Sequence, residues 1–337
     1  MRGPGTNDRE MRMQPTGMER VKLGRTEVQV TPICFGTSGL GDMPDTYGYS
    51  VDEERARQTL RAILTGPANF IDTSRNYGFG RSEERIGAAL REMGGKPQGF
   101  VLSTKLDRDS ETNRFDADVA RRSLETSLKA LGVDQIDLLH LHDPEHAESI
   151  AEITGPNGAI EALFKMKEQG LAKAVGLAAG KVDVMLPMLK AYDFDALITH
   201  NRFTLVNRNA EEMIDYAHGK GIAVLNAAPY AGGVLAKGSG SYTRYVYQEA
   251  TDAMLNPVRK VEEICQRHNV PPGAVALQFS MRDKRITSTI CGVSKAQRVH
   301  ETIEWAQWPV PAAVWTELDA LSFTRDDPEA TRAYVLG

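Results

Sequence analysis

Five side chains capable of acid–base chemistry fall at or just beyond the ends of apolar runs in this sequence. Asp72 ends the apolar run of "NFID", and Tyr77 follows five residues on, inside the glycine turn of "YGFGR". Lys105 lies near the end of "FVLSTKL", and His140 and His142 lie at the end of "IDLLHLH". A phenol ionises near pH ~10, so it is a poor acid or base at neutral pH unless perturbed. An ammonium beside it favours the phenolate and lowers that pKa, while a carboxylate keeps the ammonium charged and oriented. A neutral imidazole donates a hydrogen bond to a substrate oxygen, and the phenol gives or takes a proton at a carbonyl or hydroxyl within reach. An ordinary buried Asp–Lys pair would explain Asp72 and Lys105 alone. Convergence of carboxylate, ammonium, imidazole and phenol from three successive strand ends favours a proton-transfer site.

The same residues admit a metal reading. His140 and His142 alternate along one strand and face the same way, as in an HxH metal-hydrolase pair, and His200 offers a third ligand. Against it, the fifth strand ends in Ala178 and Ala179 and the eighth carries no aspartate, so the shell is incomplete. The pair reads better as one catalytic and one packing histidine.

Apolar runs and helical stripes alternate along the chain. A hairpin comes first, "RVKL" and "EVQV" around Gly24-Arg25. Eight strands follow: "TPICFG", "ANFID", "FVLSTKL", "IDLLHLHDP", "AKAVGLAA", "FDALITHNRF", "IAVLNAAPY" and "ITSTICGVS". A helix follows each. Ser50 and Glu53 form a capping box for the first, with Ala56, Leu60, Ile63 and Leu64 on its apolar face. The second carries Ile86, Ala89, Leu90 and Met93 on one side and Gly94 as its C-cap. Pro187 is expected to kink or break "VDVMLPMLKAY". Continuous apolar strands separated by helices argue for a parallel sheet covered on both faces, and eight units make a (β/α)8 TIM barrel. An open doubly wound sheet would also alternate, but "GTSGLG" has the wrong glycine spacing for a dinucleotide fingerprint and "YGFGRSEERIG" lacks its third glycine.

On these residues the chain resembles the aldo-keto reductase superfamily. "NFIDTSRNYGFGRSEERIGAAL", the "STK" of 103–105, the "HDP" of 142–144, "EQGLAKAVGL" and the N-terminal hairpin carry the resemblance over about residues 20–320. It implies Tyr77 as general acid/base, Lys105 as its tuner, Asp72 as the holder of Lys105, and His142 as the group orienting the substrate carbonyl. It also implies an extended NADP or NAD cofactor bound without a Rossmann motif. Ser294, Arg298 and Glu301 in "ICGVSKAQRVHET" fall where relatives meet the adenosine end, Lys295 adds charge, and Arg298 favours NADP slightly. Gly36, Thr37, His200, Asn201, Pro229, Gly232 and Gly292 complete the implied cofactor set. Three positions depart from the pattern: Ala178-Ala179 replace a Ser-Asn pair, His200 a glutamine, and Ala227 a tyrosine that stacks on nicotinamide. Many reductases carry a lysine where Gly292 stands. "HDP" and "NAAPY" with "GGVL" resemble the branch of L-fucose and D-threo-aldose 1-dehydrogenases, with pyridoxal dehydrogenases as relatives. That branch implies oxidation of a sugar hemiacetal to a lactone, with the loop from Asp42 to Tyr49 (Tyr47 and Tyr49 in it), Asp143 and Tyr230 as substrate candidates. A general aldehyde or ketone reductase and a non-catalytic redox-sensing subunit are the alternatives within the superfamily.

Composition agrees with a cytoplasmic enzyme. The 337 residues are 41% hydrophobic and 25% charged, enough for one large core, and the net charge of -5 shows no basic cluster for nucleic acid. Cys34, Cys265 and Cys291 stand far apart and read as buried free thiols rather than a disulfide or metal motif. No run approaches the ~20 apolar residues of a membrane helix. Residues 1–19 read as a disordered leader, 20–325 as a single barrel domain and 326–337 as a C-terminal tail. The expected partner is a small carbonyl or sugar substrate.

Overall fold

Strands buried on both faces must pair with one another beneath a layer of helices, and this chain satisfies that by closing the sheet on itself. The computed structural model describes residues 18–332. Residues 1–17 of the expected leader and 333–337 of the expected tail lie outside the described residues. A hairpin of β1 (Val21–Lys22) and β2 (Gln29–Val30) precedes β3 (Ile33–Gly36), β4 (Phe70–Asp72), β5 (Val101–Leu106), β6 (Ile136–His142), β7 (Ala172–Ala179), β8 (Ala196–His200) and β9 (Ala223–Ala227). A second short hairpin, β10 (Arg244–Tyr245) with β11 (Gln248–Glu249), comes before β12 (Ser288–Gly292). Strands β3 to β9 and β12 form a closed parallel barrel, β12 pairing with both β9 and β3.

Two apolar layers result. Cys34, Phe70, Val101, Leu138, Ala174, Ala196, Leu225 and Ile290 cluster together as one buried group, and Leu23, Val28 and Val30 of the hairpin join it. The hairpin lies against the N-terminal ends of the strands. Asn69 ties it there, accepting from the Thr31 N–H at 2.9 Å and donating to the Gln29 and Gly99 carbonyls at 2.9 and 2.8 Å. A larger group joins outward strand residues such as Phe35, Ile71 and Leu139 to the helix stripes Ala56–Leu60–Ile63–Leu64 and Ile86–Ala89–Leu90. Each fully buried side chain of that size contributes roughly 1.5–3 kcal/mol, so the bottom is sealed and the opposite rim is free to carry chemistry.

Local details differ from the sequence reading at helix ends. The helix Glu53–Leu64 is capped by Asp52, whose carboxylate accepts from the Arg55 N–H at 2.8 Å; Ser50 lies outside it. A carboxylate one residue before the helix reaches the first free N–H groups directly and has the advantage of charge. The helix Arg81–Glu92 ends at Met93, which is exposed rather than part of the apolar face, and Gly94 follows in the left-handed region. Pro187 sits within one continuous helix, Val182–Ala191, without breaking it. The helix Ala312–Asp319 and the β10–β11 hairpin were not legible in the pattern.

Candidate active site

The chemistry-bearing side chains gather at the C-terminal rim. Asp72 is the last residue of β4, and Lys105 and His142 lie at the ends of β5 and β6, with Lys105 opposite His140 in the register. Asp72, Lys105 and His142 are buried and Tyr77 is half-buried, yet all four line one cavity of about 600 Å³. The Lys105 ammonium has three hydrogens and three acceptors: Asp72 Oδ2 at 2.7 Å, the Thr73 carbonyl at 2.6 Å and the Tyr77 hydroxyl oxygen at 3.2 Å. Asp72 also accepts from Ser103 Oγ at 2.8 Å. Because lysine donates to the phenol oxygen, the phenol's own hydrogen is left for the cavity.

The turn presents that phenol by close backbone approach. Gly78 has φ +64°, and a Cβ there would lie 1.9 Å from the Gly41 carbonyl oxygen. Gly80, at φ +98°, leaves no room beside the Arg75 guanidinium. Only glycine meets both demands.

The electrostatics of Tyr77 correct the sequence expectation. Burial, followed by Asp72, Tyr47, Asp143 and Asp107, pushes the phenol well above its ordinary range. Lys105, 3.2 Å from the phenol oxygen, does not reverse that rise, because its ammonium is paired with Asp72 and the phenol faces an ion pair rather than a lone cation. Tyr77 is therefore held as the neutral phenol.

His142 is held differently. Its Nδ1 lies 2.5 Å from Asp107 Oδ1, and Asp107 Oδ2 accepts from Ser74 Oγ at 2.8 Å and the Asn76 N–H at 3.0 Å. Burial opposes the ring's charge, but Asp143 and Asp107 outweigh it and raise its pKa. His140, two residues earlier, is fully buried against Gly176, and burial followed by Lys105 and His142 drives its pKa well down. It is the packing member of the pair. Among the described residues no group of three His, Cys, Asp or Glu side chains is placed to hold a metal ion, and His200 Nδ1 faces Glu329 Oε1 at 3.1 Å.

Other candidates divide along the cavity. Gly36, Thr37, His200, Gly232, Gly292, Ser294, Lys295 and Arg298 line it. Asn201, buried beneath His200, and Pro229 and Glu301 are not among the lining residues; Glu301 pairs with Arg298 at 2.6 Å. Tyr47 bonds Ser38 Oγ at 2.5 Å and packs edge-on against Tyr247, on the Tyr77 side of the cavity. Tyr49 lies under Arg55 and Lys237, toward the other end. Asp143 lines the cavity in a left-handed conformation, φ +45°, its Oδ1 3.7 Å from His142 Nε2. Tyr230 is buried, its hydroxyl donating to Cys291 Sγ at 3.8 Å and its ring edge-on to Trp305.

Sequence reasoning missed Asp107, Arg55, Lys237, Tyr247 and Arg332. Asp107 had a signal, since it stands two residues beyond Lys105 as His142 stands two beyond His140. Arg332 arrives through the chain's last described segment. There Arg202 binds Asp327 Oδ1 at 2.6 Å and Glu329 Oε1 at 3.0 Å, and Glu329 in turn holds Arg332 at 2.7 Å.

Comparisons with known proteins point to one family. The model described as "Aldo/keto reductase family" matches residues 32–322. The pyridoxal 4-dehydrogenase of Microbacterium luteolum is 26% identical, covering 89% of this chain and 96% of that enzyme. The L-galactose dehydrogenase of Arabidopsis thaliana is 28% identical over 92% of both. The D-threo-aldose 1-dehydrogenase of a Pseudomonas species is 29% identical over 200 residues, the match spanning 60% of that enzyme's length. In structure, the holo form of an aldo-keto reductase from Bacillus halodurans superposes with a TM-score of 0.75 at 21% identity, covering 94% of this chain and all of that one.

Proposed function

The chain belongs to the aldo/keto reductase family, and from that premise we propose that it is an NAD(P)-dependent oxidoreductase acting at the first carbon of an aldose-like substrate. One observation carries the reading: Lys105 exhausts its donors on Asp72, Thr73 and Tyr77, leaving the neutral phenol's hydrogen facing a cavity large enough for cofactor and substrate.

The cavity's second wall suits a dinucleotide. Arg55, Lys237, Lys295 and Arg298 line it, whereas the carboxylates among the described lining residues, Asp72 and Asp143, stand at the reaction end. Burial, then Arg298 and Arg244, lowers the pKa of Lys237, a crowding of like charge that an anionic group relieves. Beside it Gly292 leaves open space where a side chain would stand. A nicotinamide dinucleotide bound there supplies the hydride acceptor for oxidation or the hydride donor for reduction. Arg298 and Lys295 would hold its adenosine end, favouring NADP over NAD. Ala178, Ala179 and Ala227 leave apolar contact, rather than a side-chain amide grip, for the nicotinamide.

At the reaction end Tyr77 gives its proton to a carbonyl oxygen, or recovers one from a hydroxyl, while His142 orients that oxygen. Asp143, Tyr47 and Arg332 offer polar groups to the remaining hydroxyls of a sugar. The names of the relatives, dehydrogenases of D-threo-aldoses, L-galactose and pyridoxal, support a ring hemiacetal or an aldehyde as the reacting group. A plain aldehyde or ketone reductase is the second reading, favoured by Met43 and Ile198 in the lining. A panel of aldoses, simple aldehydes and pyridoxal, run with NAD+, NADP+ and their reduced forms, tests it. Turnover of aldoses above simple aldehydes supports the first reading, the reverse order the second, and no dinucleotide turnover on any member overturns both.

A further inference from the structure

Asp107 is a carboxylate that the proton-transfer set does not use, and its surroundings dictate what it does to His142. Asp107 Oδ2 accepts two hydrogen bonds, from Ser74 Oγ and the Asn76 N–H, and the Asp107 N–H is itself held by Ser123 Oγ at 3.0 Å. Burial works against its charge, but His142, Ser74 and Lys105 hold it below the usual carboxylate range. A carboxylate is an acceptor only, so the hydrogen in the 2.5 Å contact between Asp107 Oδ1 and His142 Nδ1 belongs to the ring. We propose that Asp107 is a positioning residue that fixes His142 as the Nδ1–H tautomer, so that Nε2, toward the cavity, is an acceptor in the neutral ring and a donor only in the imidazolium.

This corrects the expectation that a neutral imidazole donates to the substrate oxygen. With Nδ1–H committed to Asp107, a neutral ring has no hydrogen to offer at Nε2. A carbonyl oxygen is polarised by the imidazolium, and a substrate hydroxyl is accepted by the neutral ring. The link to substrate rests on the oxidoreductase reading; the tautomer does not.

The charged groups around the ring are accounted for. Lys105 on β5 opposes its charge and is paired with Asp72; Asp143, adjoining it, and Asp107 favour it. Glu145, in the same turn, is pushed toward its neutral form by burial and by Asp143. His140 on β6 is held neutral and Tyr77 across the cavity is held as the phenol. His200 on β8 is paired with Glu329, and the β7 neighbour is Ala178.

Asp107→Asn is the discriminating variant. The Asn76 backbone N–H, a donor only, requires an acceptor at the Oδ2 position, and the Ser74 hydroxyl can donate there too, so the amide carbonyl goes there and the amide NH2 faces His142 Nδ1. The ring must then carry its hydrogen on Nε2 and can donate while neutral, the tautomer inversion expected when a carboxylate behind a histidine becomes an amide. Imidazole-labelled ¹⁵N NMR without substrate, with His142 assigned by subtracting the spectrum of His142→Gln, should show Nδ1–H in the wild type above the ring's pKa and Nε2–H in Asp107→Asn. Wild-type carbonyl reduction should fall by about tenfold per pH unit above that pKa, and the variant should stay within about twofold over the same range. A wild-type Nε2–H tautomer overturns the proposal without any variant, as do superimposable pH profiles for the two proteins. Correct tautomers with no dinucleotide turnover on any substrate would instead refute the function while leaving Asp107's role intact.

Discussion

The two ends of the cavity are built on opposite electrostatic plans. At the reaction end every buried charge is answered: Lys105 by Asp72, and His142 by Asp107, with Ser103, Ser74 and Asn76 taking the remaining lone pairs. At the far end Arg55, Lys237, Lys295 and Arg298 face the space with Glu301 as the carboxylate paired to Arg298. A preorganised end costs nothing further when chemistry occurs. An under-neutralised end is incomplete until an anion arrives. Charge removed from the first should cost stability and rate together, and charge removed from the second should cost affinity alone.

Lys105→Met breaks the comparison most severely. It leaves Asp72 buried without its cation, a loss of roughly 3–5 kcal/mol, and it frees the phenol from its orienting donor, lowering kcat by about 10³-fold. Thermal melting and steady-state rates check both. Gly78→Ala follows, because its Cβ would collide with the Gly41 carbonyl in a left-handed backbone. We expect a loss of at least about 2 kcal/mol in denaturant titration, with kcat falling as Tyr77 is displaced.

Glu83 sharpens the picture as the exception behind the reaction end. It is buried, with Oε1 accepting from Thr104 Oγ1 at 2.7 Å, and burial outweighs the Thr104 and Ser127 hydroxyls and pushes its pKa up to about 7. A folded-state pKa above the unfolded value means that stability is full below pH ~4.5 and declines as pH rises toward and through about 7. Glu83→Gln should therefore stabilise the protein at pH 8 by on the order of 2–3 kcal/mol and change little at pH 4, read from melting at both pH values. Lys237→Ala is the mildest change: dinucleotide Kd should rise by about tenfold with a weakened salt dependence. Melting temperature should hold or rise, since a repelled cation is gone. A falling melting temperature would erase the distinction between the two ends.

Periodicity made the barrel legible, because each of its eight strands is an apolar run with a helical stripe after it. Asp72, Tyr77, Lys105 and His142 were legible because strand ends are where barrels place chemistry. Asp107 was passed over despite its spacing from Lys105, since an aspartate just past a strand reads as a turn residue until its contact with His142, 35 positions away, is seen. Lys237, Tyr247 and Arg332 come from long connections and the last described segment, where no period links residue to place. The direction of the Tyr77 shift also escaped: sequence supplied the lysine, but burial and the prior claim of Asp72 on its charge are matters of distance.

The central claim is that Tyr77 moves the proton while the opposite wall independently holds the cofactor. It is tested most directly by single-turnover hydride transfer in Tyr77→Phe, with dinucleotide Kd measured on the same samples by fluorescence quenching. Kd should stay within about twofold of wild type while the transfer rate falls by about 10³-fold. A variant transferring hydride within about threefold of the wild-type rate would contradict it.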